Sequence, residues 1–371
     1  ANALANIDSF HWTMIENSFH AFTLNYTCPY GIPTLVPTIE LEKRLDLRLS
    51  HRPVGAADKK LSRWVVHLHI YYIDCLGDLL SVLGPACSGA DLIVTTDSLV
   101  KSDIISAEFL KYGLQSIFGV IQVLVVPNGG RNVRPLLQVA LPFLLNYELA
   151  LHLHTKQSKH GADGPAWLND LLDCLVASKA HVDQICQAFV DMPNLGVVIP
   201  RPAAHIRRHM NWGRNFEIAQ LICQNVFGSR RLEFTAPLIF PAGMMFWFRP
   251  RAIQPLREML NLWDKAAFEP LPVDGTYLHA IERLVAHSCE ETGFKWALIS
   301  SPSEAAFLDQ CSSAGFSVWE PRVDEYIGAV SKMASKLRDI EQKSQNFEQN
   351  LMMHFGKRIV AICRGIMQFI K

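Results

Sequence analysis

The stretch Trp64-Val-Val-His-Leu-His-Ile-Tyr71 is a short run of β-favouring residues, and similar runs follow it along the chain. These runs are Leu92–Thr96, Val120–Val126 and Leu149–His154. The sequence between them has helical patterns over 74–86, 100–112 and 132–146. Strands that alternate with helices of this length predict βαβ units and a mainly parallel sheet. The strands are nearly continuous in apolar residues, which indicates a sheet buried on both faces.

The same alternation continues to about residue 300. It predicts helices over 167–177, 181–191, 214–227, 251–262 and 276–289, and strands over 195–199, 243–248 and 295–299. We therefore predict an α/β domain over 63–300. An N-terminal extension over 1–62 precedes it, and a helical region over 301–371 follows it.

Composition limits the class of protein. The chain has 371 residues, of which 49% are hydrophobic and 19% are charged, so it can bury a large core and is not mainly disordered. Lys and Arg number 35 against 35 Asp and Glu. This zero net charge argues against nucleic-acid binding through a general basic surface. The nine cysteines form no Cys-x-x-Cys pair, which argues against a disulfide framework or a zinc ribbon. Because the chain begins with Ala, we expect it to be a piece of a longer protein.

The C-terminal region has a different pattern. Apolar residues recur mostly three or four positions apart from Leu337 to Phe369, with Ser344 filling one step, and no acidic residue follows Glu348. This predicts an amphipathic helix or a broken helical pair. Such a helix can pack on the core or on a sister chain, or it can lie on an anionic membrane surface. No apolar stretch reaches the ~20 residues that a membrane span needs, so we expect a soluble or peripheral protein.

Polar side chains stand at the end of each of the first four predicted strands. His69 ends the first, Asp97 follows the second, Asn128-Gly-Gly-Arg131 follows the third, and His154 and Lys156 end the fourth. In open parallel sheets, ligands bind beyond the carboxyl ends of the strands. The sequence therefore predicts a ligand site at this edge.

The third of these loops has the composition of an anion site. Gly129 and Gly130 allow backbone amides to approach a ligand, and Arg131 can grip a phosphate with two hydrogen bonds. An ordinary turn before a helix explains the glycines equally well. The loop matches neither a Walker motif nor the dinucleotide fingerprint.

His152 and His154 alternate on a strand and so point to one face. Such a pair can supply two metal ligands, but no third ligand is evident nearby, so a divalent metal is not favoured. Structural histidines remain the alternative. Lys156, just beyond the strand, can neutralise a diphosphate.

Three further segments can carry chemistry. Gly243 and Trp247 combine a small residue with an aromatic ring, as a sugar platform does, although a core strand also fits. Asp274 precedes a helix, where it can be a general base or a helix cap. His279 and Glu282 lie on that helix at adjacent-turn spacing. The basic loop 201–214 is either a solvated loop or a mobile lid over a phosphate.

Taken together, these segments resemble the rhamnan synthesis protein F family, bacterial glycosyltransferase-like proteins of cell-wall rhamnan, O-antigen and capsule assembly. The matching segments are the strand with His67 and His69, Asn128–Arg131 with Pro135, Leu151–Lys156, Phe240–Pro250, and Asp274–Thr276 with His279–Arg283. They occur in family order across roughly 64–300. The third loop departs from the family pattern Asn-Arg-Gly-Arg-Asp, since it reads Asn128-Gly-Gly-Arg-Asn132 and loses one basic and one acidic group.

The resemblance implies transfer of a sugar, L-rhamnose or another deoxysugar, from a nucleoside diphosphate donor to a growing lipid-linked glycan. It also implies a GT-A-like fold, in which Asp97 contacts the nucleoside. His152-Leu-His154 stands where the Asp-x-Asp metal motif of such a fold is expected. The enzyme is then expected to need no metal. Lys156 and Arg131 would stabilise the leaving diphosphate, and Asp274 would deprotonate the acceptor in an inverting displacement.

The residues expected to bind the nucleotide sugar are His69, Asp97, Asn128, Gly130, Arg131, His154 and Lys156. Those expected to bind the acceptor are Gly243, Trp247, His279 and Glu282. We expect a cytoplasmic protein at the inner face of the bacterial plasma membrane, acting alone, as a homo-oligomer or beside other transferase domains.

Three alternatives stay open. A non-catalytic carbohydrate-binding or scaffold module of a polysaccharide assembly complex would have the same pocket without the chemistry. A two-lobed GT-B arrangement would have two sheets rather than one. A dehydrogenase is disfavoured because the glycine fingerprint is missing.

Overall fold

A computed structural model describes residues 45–47, 63–156, 164–203, 206, 209–228, 232–234, 238–258, 271–272 and 274–305. These residues contain one eight-stranded sheet. Its strands are β1 Leu45–Leu47, β2 Trp64–His69, β3 Asp91–Thr96, β4 Ile121–Val125, β5 Leu149–His154, β6 Leu195–Pro200, β7 Phe246–Phe248 and β8 Lys295–Ile299.

The sheet is parallel except for one strand, as the sequence predicts for most of it. The strand order is β1-β8-β6-β7-β5-β2-β3-β4. β7 runs antiparallel to both of its neighbours, β5 and β6, and every other pair is parallel. Within the described residues there is no second sheet of the kind that a two-lobed arrangement needs.

Helices cover both faces of the sheet. They are α1 Leu76–Ala86, α2 Leu99–Lys111, a π-helical segment Pro135–Ala140 that leads into α3 Leu141–Leu144, α4 Gly164–Val176, α5 Lys179–Asp191, α6 Phe216–Val226, α7 Pro250–Ile253 and α8 Tyr277–Glu291. One core cluster joins the sheet to α1, α2, α4 and α5, and another joins it to the π-helical segment, α3, α6, α7 and α8. The fold is therefore a three-layer α/β/α arrangement, and this explains why the strands are apolar on both faces.

Side-chain caps define where several helices begin. The hydroxyl of Ser98 accepts a hydrogen bond from the Lys101 amide at the start of α2, and Ser178 accepts one from the His181 amide at the start of α5. Thr276 does the same for the His279 amide at the start of α8. Each cap satisfies one of the amide groups that the first turn of a helix leaves unpaired.

The domain boundaries stay predictions, with one structural addition. β1 lies within the segment 1–62 that the sequence analysis treats as an extension, and it pairs with β8 from Leu45 opposite Ala297 to Leu47 opposite Ile299. The C-terminal amphipathic pattern, 337–371, lies outside the described residues. None of the helices in the described part of the chain has the length and apolar character that a membrane span requires.

Candidate functional site

The carboxyl ends of four parallel strands meet at one edge of the sheet. β5, β2, β3 and β4 are neighbours in that order, with His154 opposite His69 and His69 opposite Thr95. The residues that follow these strands, including Asp97 and Lys156, therefore lie along the same edge. This is the edge at which the sequence predicts a ligand site.

Thr155 ties the ends of two central strands together. Its hydroxyl oxygen accepts hydrogen bonds of 3.0 Å from the backbone amides of both Tyr71 and Tyr72, and its own amide donates to the carbonyl of His69 at 3.0 Å. Three hydrogen bonds thus hold the chain beyond β2 against the chain beyond β5. The edge is a fixed surface at this point.

A chain of hydrogen bonds runs through buried side chains below the edge. Nδ1 of His67 lies 2.9 Å from Nδ1 of His152, and the two rings stack with centroids 4.8 Å apart. Nε2 of His67 lies 3.1 Å from Oγ1 of Thr95, and the same oxygen lies 3.0 Å from Nδ1 of His69. The chain thus links the middle of β5 to the carboxyl end of β2 through β3.

Burial keeps these imidazoles neutral. It lowers the pKa of His69 to about 3, and it holds the pKa of His67 and of His152 well below the ordinary histidine value. The neighbouring histidines lower each pKa further, since two adjacent imidazolium charges repel. None of the three carries a positive charge to a ligand at neutral pH.

The peptide of Gly243 is fixed between β5 and α8. Nε2 of His154 lies 2.7 Å from the Gly243 carbonyl oxygen, and the Gly243 amide donates to Oε1 of Glu282 at 2.7 Å. Gly243 has a φ of +86°, and a Cβ there would meet the ring of Trp167 at 3.2 Å. We call this arrangement of His154, Gly243 and Glu282 the peptide clamp.

The peptide clamp changes the roles expected for its members. His154 is predicted to bind the nucleotide sugar, but both of its ring nitrogens face main-chain carbonyls, of Gly243 and Thr155. Glu282 is predicted to bind the acceptor, but its largely buried carboxyl holds the Gly243 amide, and burial raises its pKa. These groups position the loop before β7.

Lys156 and Trp167 lie beside the clamp and are both partly exposed. The Lys156 ammonium lies over the indole ring of Trp167, 2.8 Å from its centroid. Burial lowers the pKa of Lys156 to about 8, against the attraction of Glu282. A half-buried ammonium of this kind is well suited to an anionic ligand, because an anion compensates the lost hydration.

Trp247 is not a sugar platform, and that prediction is wrong. Its side chain is 0% exposed, its indole N–H donates to the Leu175 carbonyl at 3.1 Å, and its ring packs 5.2 Å from that of Trp64. β7 is a central strand with helices over both of its faces, so the residues that point to either face are all buried. The aromatic ring that lies beside the small residue is Trp167.

Asp274 organises the turn before α8. Its Oδ2 accepts from the backbone amide of Arg214 at 3.0 Å, and its Oδ1 accepts from the side-chain amide of Asn215 at 2.6 Å. Burial raises the pKa of Asp274, but these hydrogen bonds and one from the Gly275 amide outweigh it, so the pKa is lowered. Asp274 is ionised at neutral pH. The cap of α8 is Thr276, not Asp274.

Electrostatic coupling links the remaining site residues. Partial burial lowers the pKa of His279 most, the positive charges of Arg131 and Arg283 lower it further, and Asp274 raises it. The charge of the loop after β4 therefore acts on the first turn of α8. Arg131 is exposed with a φ of +50°, Gly130 has a φ of +73°, and Asn128 is exposed in the same loop.

Asp97 is held by the helix that follows it, α2. Its carboxylate forms an ion pair of 2.7 Å with Lys101, whose ammonium also donates to the Tyr71 carbonyl at 2.8 Å. The negative charge of Asp97 raises the pKa of the nearby His69, although burial of that ring dominates. Asp97 and His69 therefore share one end of the site.

The described part of the basic loop is anchored, which argues against a lid there. Arg283 donates from Nε to the Asn211 carbonyl at 2.8 Å, and Asp274 holds the Arg214 amide. At the other end, Nε of the buried Arg201 donates to the Ser300 hydroxyl at 3.0 Å. Residues 204, 205, 207 and 208, which include two of the loop's arginines, lie outside the described residues.

In the part of the chain that the structure describes, no three His, Cys, Asp or Glu side chains converge as a metal site. The histidine pair that the sequence analysis considers as metal ligands is engaged elsewhere. His152 contacts His67, and His154 contacts backbone carbonyls.

Comparison with known proteins identifies the family. The family model described as rhamnan synthesis protein F matches residues 37–294, which is more than half of the chain. The chain belongs to the rhamnan synthesis protein F family. The resemblance seen in the sequence is confirmed.

Two relatives of this family member carry the name "Uncharacterized protein WxcX". They come from strains B100 and ATCC 33913 of Xanthomonas campestris pv. campestris, and each is 31% identical over 232 residues. The match covers 62% of this chain and 32% of each relative, so the chain spans about a third of the length of the curated relatives that it matches.

Sequence reasoning missed several residues of this rhamnan synthesis protein F site. Trp167 lies near the start of α4 and gave no signal, because only the fold places its ring against Gly243 and Lys156. Asn215 was missed for the same reason, although it holds both Asp274 and the Gly275 amide. The polar pair Thr95-Thr96 at the end of a predicted strand was the available signal for Thr95.

The clamp predicts a specific cost for a side chain at Gly243. Gly243→Ala should lower the free energy of unfolding by roughly 1–3 kcal/mol from its positive φ alone, and further through contact with Trp167. Gly89→Ala is the matched control, since its φ is +88° and nothing lies within 4 Å of an added Cβ. Urea denaturation measures both. Equal losses for the two variants would contradict the packing against Trp167.

Proposed function

We propose that this protein is a glycosyltransferase that moves a sugar from a nucleoside diphosphate donor to a growing bacterial polysaccharide. Membership in the rhamnan synthesis protein F family supports a part in polysaccharide synthesis. The observation that carries the proposal is electrostatic: the charges of Lys156 and Asp274 both act on Glu282, and those of Arg131 and Asp274 both act on His279. We further propose L-rhamnose or another deoxysugar as the transferred group.

The diphosphate lies between the positive side chains. Lys156 presents a half-buried ammonium, and Arg131 presents an exposed guanidinium from a loop whose backbone is left-handed at both 130 and 131. The attraction of both positive charges for the diphosphate becomes stronger as the bond to the sugar breaks, because negative charge then accumulates on the departing diphosphate. Asp97 and His69 lie at the other end of the site and serve the nucleoside.

Asp274 acts as the general base. It takes the proton of an acceptor hydroxyl as that oxygen attacks the anomeric carbon from the face opposite the diphosphate. The bond from the anomeric carbon to the diphosphate oxygen breaks, and the diphosphate leaves with the electron pair, which inverts the configuration. The N–H groups on Asp274 lower its pKa and keep it ionised, and a carboxylate still has lone pairs beyond those they occupy.

The acceptor is a lipid-linked glycan that reaches the site past Trp167. A depression beside Trp167 lies between α4 and the end of β6, with Asp170, Arg201 and Ala242 among its lining residues. An indole edge with nearby polar groups can hold a sugar ring. His279, on the first turn of α8, lies on the same side as the base. The protein would then act at the inner face of the plasma membrane.

We further propose that the domain has a GT-A-like fold and that the reaction needs no metal ion. A single mainly parallel sheet with one reversed strand is compatible with that fold. Lys156 and Arg131 supply positive charge where a divalent ion would otherwise act on the diphosphate.

A non-catalytic carbohydrate-binding or scaffold module is the second candidate. The observation that favours it is the engagement of both Asp274 oxygens by N–H groups of residues 214 and 215. Such a module would bind nucleotide sugar or glycan without transfer. Acceptor-dependent transfer distinguishes the two functions.

The base is tested by substitution at Asp274. Asp274→Asn should lower the transfer rate by at least about 10²-fold, because a general base contributes about 10²–10⁴-fold, while donor affinity is retained. Thr276→Ala is the control, since it removes the adjacent helix cap at a cost of about 1 kcal/mol and leaves the carboxylate in place. Wild-type transfer by the Asn variant would rule out this role.

The site also predicts a pH dependence of donor binding. Lys156 loses its proton as pH rises through about 8, well below the ordinary 10.5, so donor affinity should fall about tenfold between pH 7 and pH 9. The clamp histidine, His154, does not titrate in this range, because burial lowers its pKa below the ordinary histidine value. Lys156→Arg should remove this dependence, because an arginine remains charged. Calorimetric titration measures it, and a flat wild-type profile would contradict it.

Thermal shift with a panel of nucleotide sugars tests donor and metal together. A bound donor raises the melting temperature by mass action, so the nucleotide that binds is identified directly. We expect the same shift and the same transfer rate after treatment with a chelator. Loss of transfer that Mn²⁺ or Mg²⁺ restores would contradict metal independence.

A further inference from the structure

The buried hydrogen-bond chain from His152 through His67 and Thr95 to His69 ends beside the proposed nucleoside. We propose that this chain fixes His69 in the tautomer whose Nε2 carries hydrogen, so that His69 donates a hydrogen bond to an oxygen of the nucleoside. The identity of the ligand rests on the proposed function. The tautomer rests on the geometry of the chain alone.

Hydrogen counting limits the chain to two fully paired states. A neutral imidazole has one N–H and one bare nitrogen, and a threonine hydroxyl has one hydrogen. The partners of the Thr95 hydroxyl among the described residues are His67 and His69, so its hydrogen points to one of them. The direction of one bond then sets the direction of every other.

In the first state, hydrogen bonds are donated toward His152. His69 donates from Nδ1 to Thr95, Thr95 donates to His67, and His67 donates from Nδ1 to His152. Nε2 of His69 is then bare, and Nε2 of His152 carries hydrogen.

In the second state, every bond is reversed. His152 donates from Nδ1 to His67, His67 donates from Nε2 to Thr95, and Thr95 donates to Nδ1 of His69. Nε2 of His69 then carries hydrogen and is a donor at the edge of the sheet.

The far end of the chain selects between these states. Nε2 of His152 is buried and has no hydrogen-bond partner in the described part of the chain. In the first state this atom is a buried N–H without an acceptor, and in the second it is a bare acceptor. Unpaired buried N–H groups are rarer in native structures than under-satisfied acceptors. The second state is therefore favoured.

The second state suits an uncharged part of the ligand. Burial holds the pKa of His69 to about 3, so the ring donates a hydrogen bond without contributing charge. Lys156 and Arg131 already supply the charges for a diphosphate. His69 lies next to Asp97, at the end of the site that we assign to the nucleoside. The oxygens of a nucleoside are uncharged hydrogen-bond acceptors.

The tautomer is tested in the free protein by NMR of ¹⁵N-labelled histidine, with signals assigned by single substitutions. We expect hydrogen on Nε2 of His69 and on Nδ1 of His152. Hydrogen on Nδ1 of His69 would overturn the proposal, whatever the protein binds.

The link to binding is tested by Thr95→Val, which replaces the linking hydroxyl with a methyl group. We expect His69 to populate both tautomers and the nucleoside diphosphate Kd to rise about twofold for an equal mixture, because the apparent Kd is inversely proportional to the fraction with hydrogen on Nε2. Thr96→Val is the matched control, since Thr96 is an equally buried neighbour whose hydroxyl donates to the Ile70 carbonyl outside the chain. It should leave the His69 tautomer and the Kd unchanged.

Three outcomes are distinguishable. Equal Kd values for the two valine variants and the wild type would overturn the link between the chain and binding. Should Thr95→Val fail to fold, the wild-type tautomer still decides whether the chain has the proposed direction. Failure of the wild type to bind any nucleotide would overturn the proposed function and the nucleoside role of His69, while the measured tautomer would stand.

Discussion

The parallel register between β2 and β5 is the constraint on which the rest of the site depends. It places His67 beside His152 and His69 beside His154, all on one face of the sheet. Because the strands are parallel and in step, their carboxyl ends finish at the same level, where Thr155 joins them. A shift of one residue would turn the histidines into the opposite apolar layer.

Many of the polar side chains at this edge hold neighbouring groups of the protein in place. The peptide clamp occupies His154 and Glu282, and Asp97 is paired with Lys101. These contacts satisfy groups that would be costly to bury alone. A site whose polar groups are already held in place is effective electrostatically, because those groups need little reorganisation when a ligand arrives.

The sequence was sufficient to predict the elements and the edge, because strand and helix periods are local properties. Strand bounds such as 149–154 agree with β5, and the mainly parallel sheet follows from the alternation. It was insufficient for side-chain partners that depend on strand order. The sequence suggests Trp247 as a sugar platform, because it does not show that β7 is a central strand. It does not indicate Trp167, because the position of that ring depends on the packing of α4 beside Gly243. The π-helical turn at Pro135–Ala140 is likewise set by packing.

The central claim is that this edge of the sheet is a donor site for a nucleoside diphosphate sugar. The most direct measurement is a crystal structure of the protein with such a donor bound. The account predicts the diphosphate between Lys156 and Arg131, the nucleoside beside His69 and Asp97, and the anomeric carbon facing the Asp274 side. A donor bound away from the carboxyl ends of β2–β5 would contradict it.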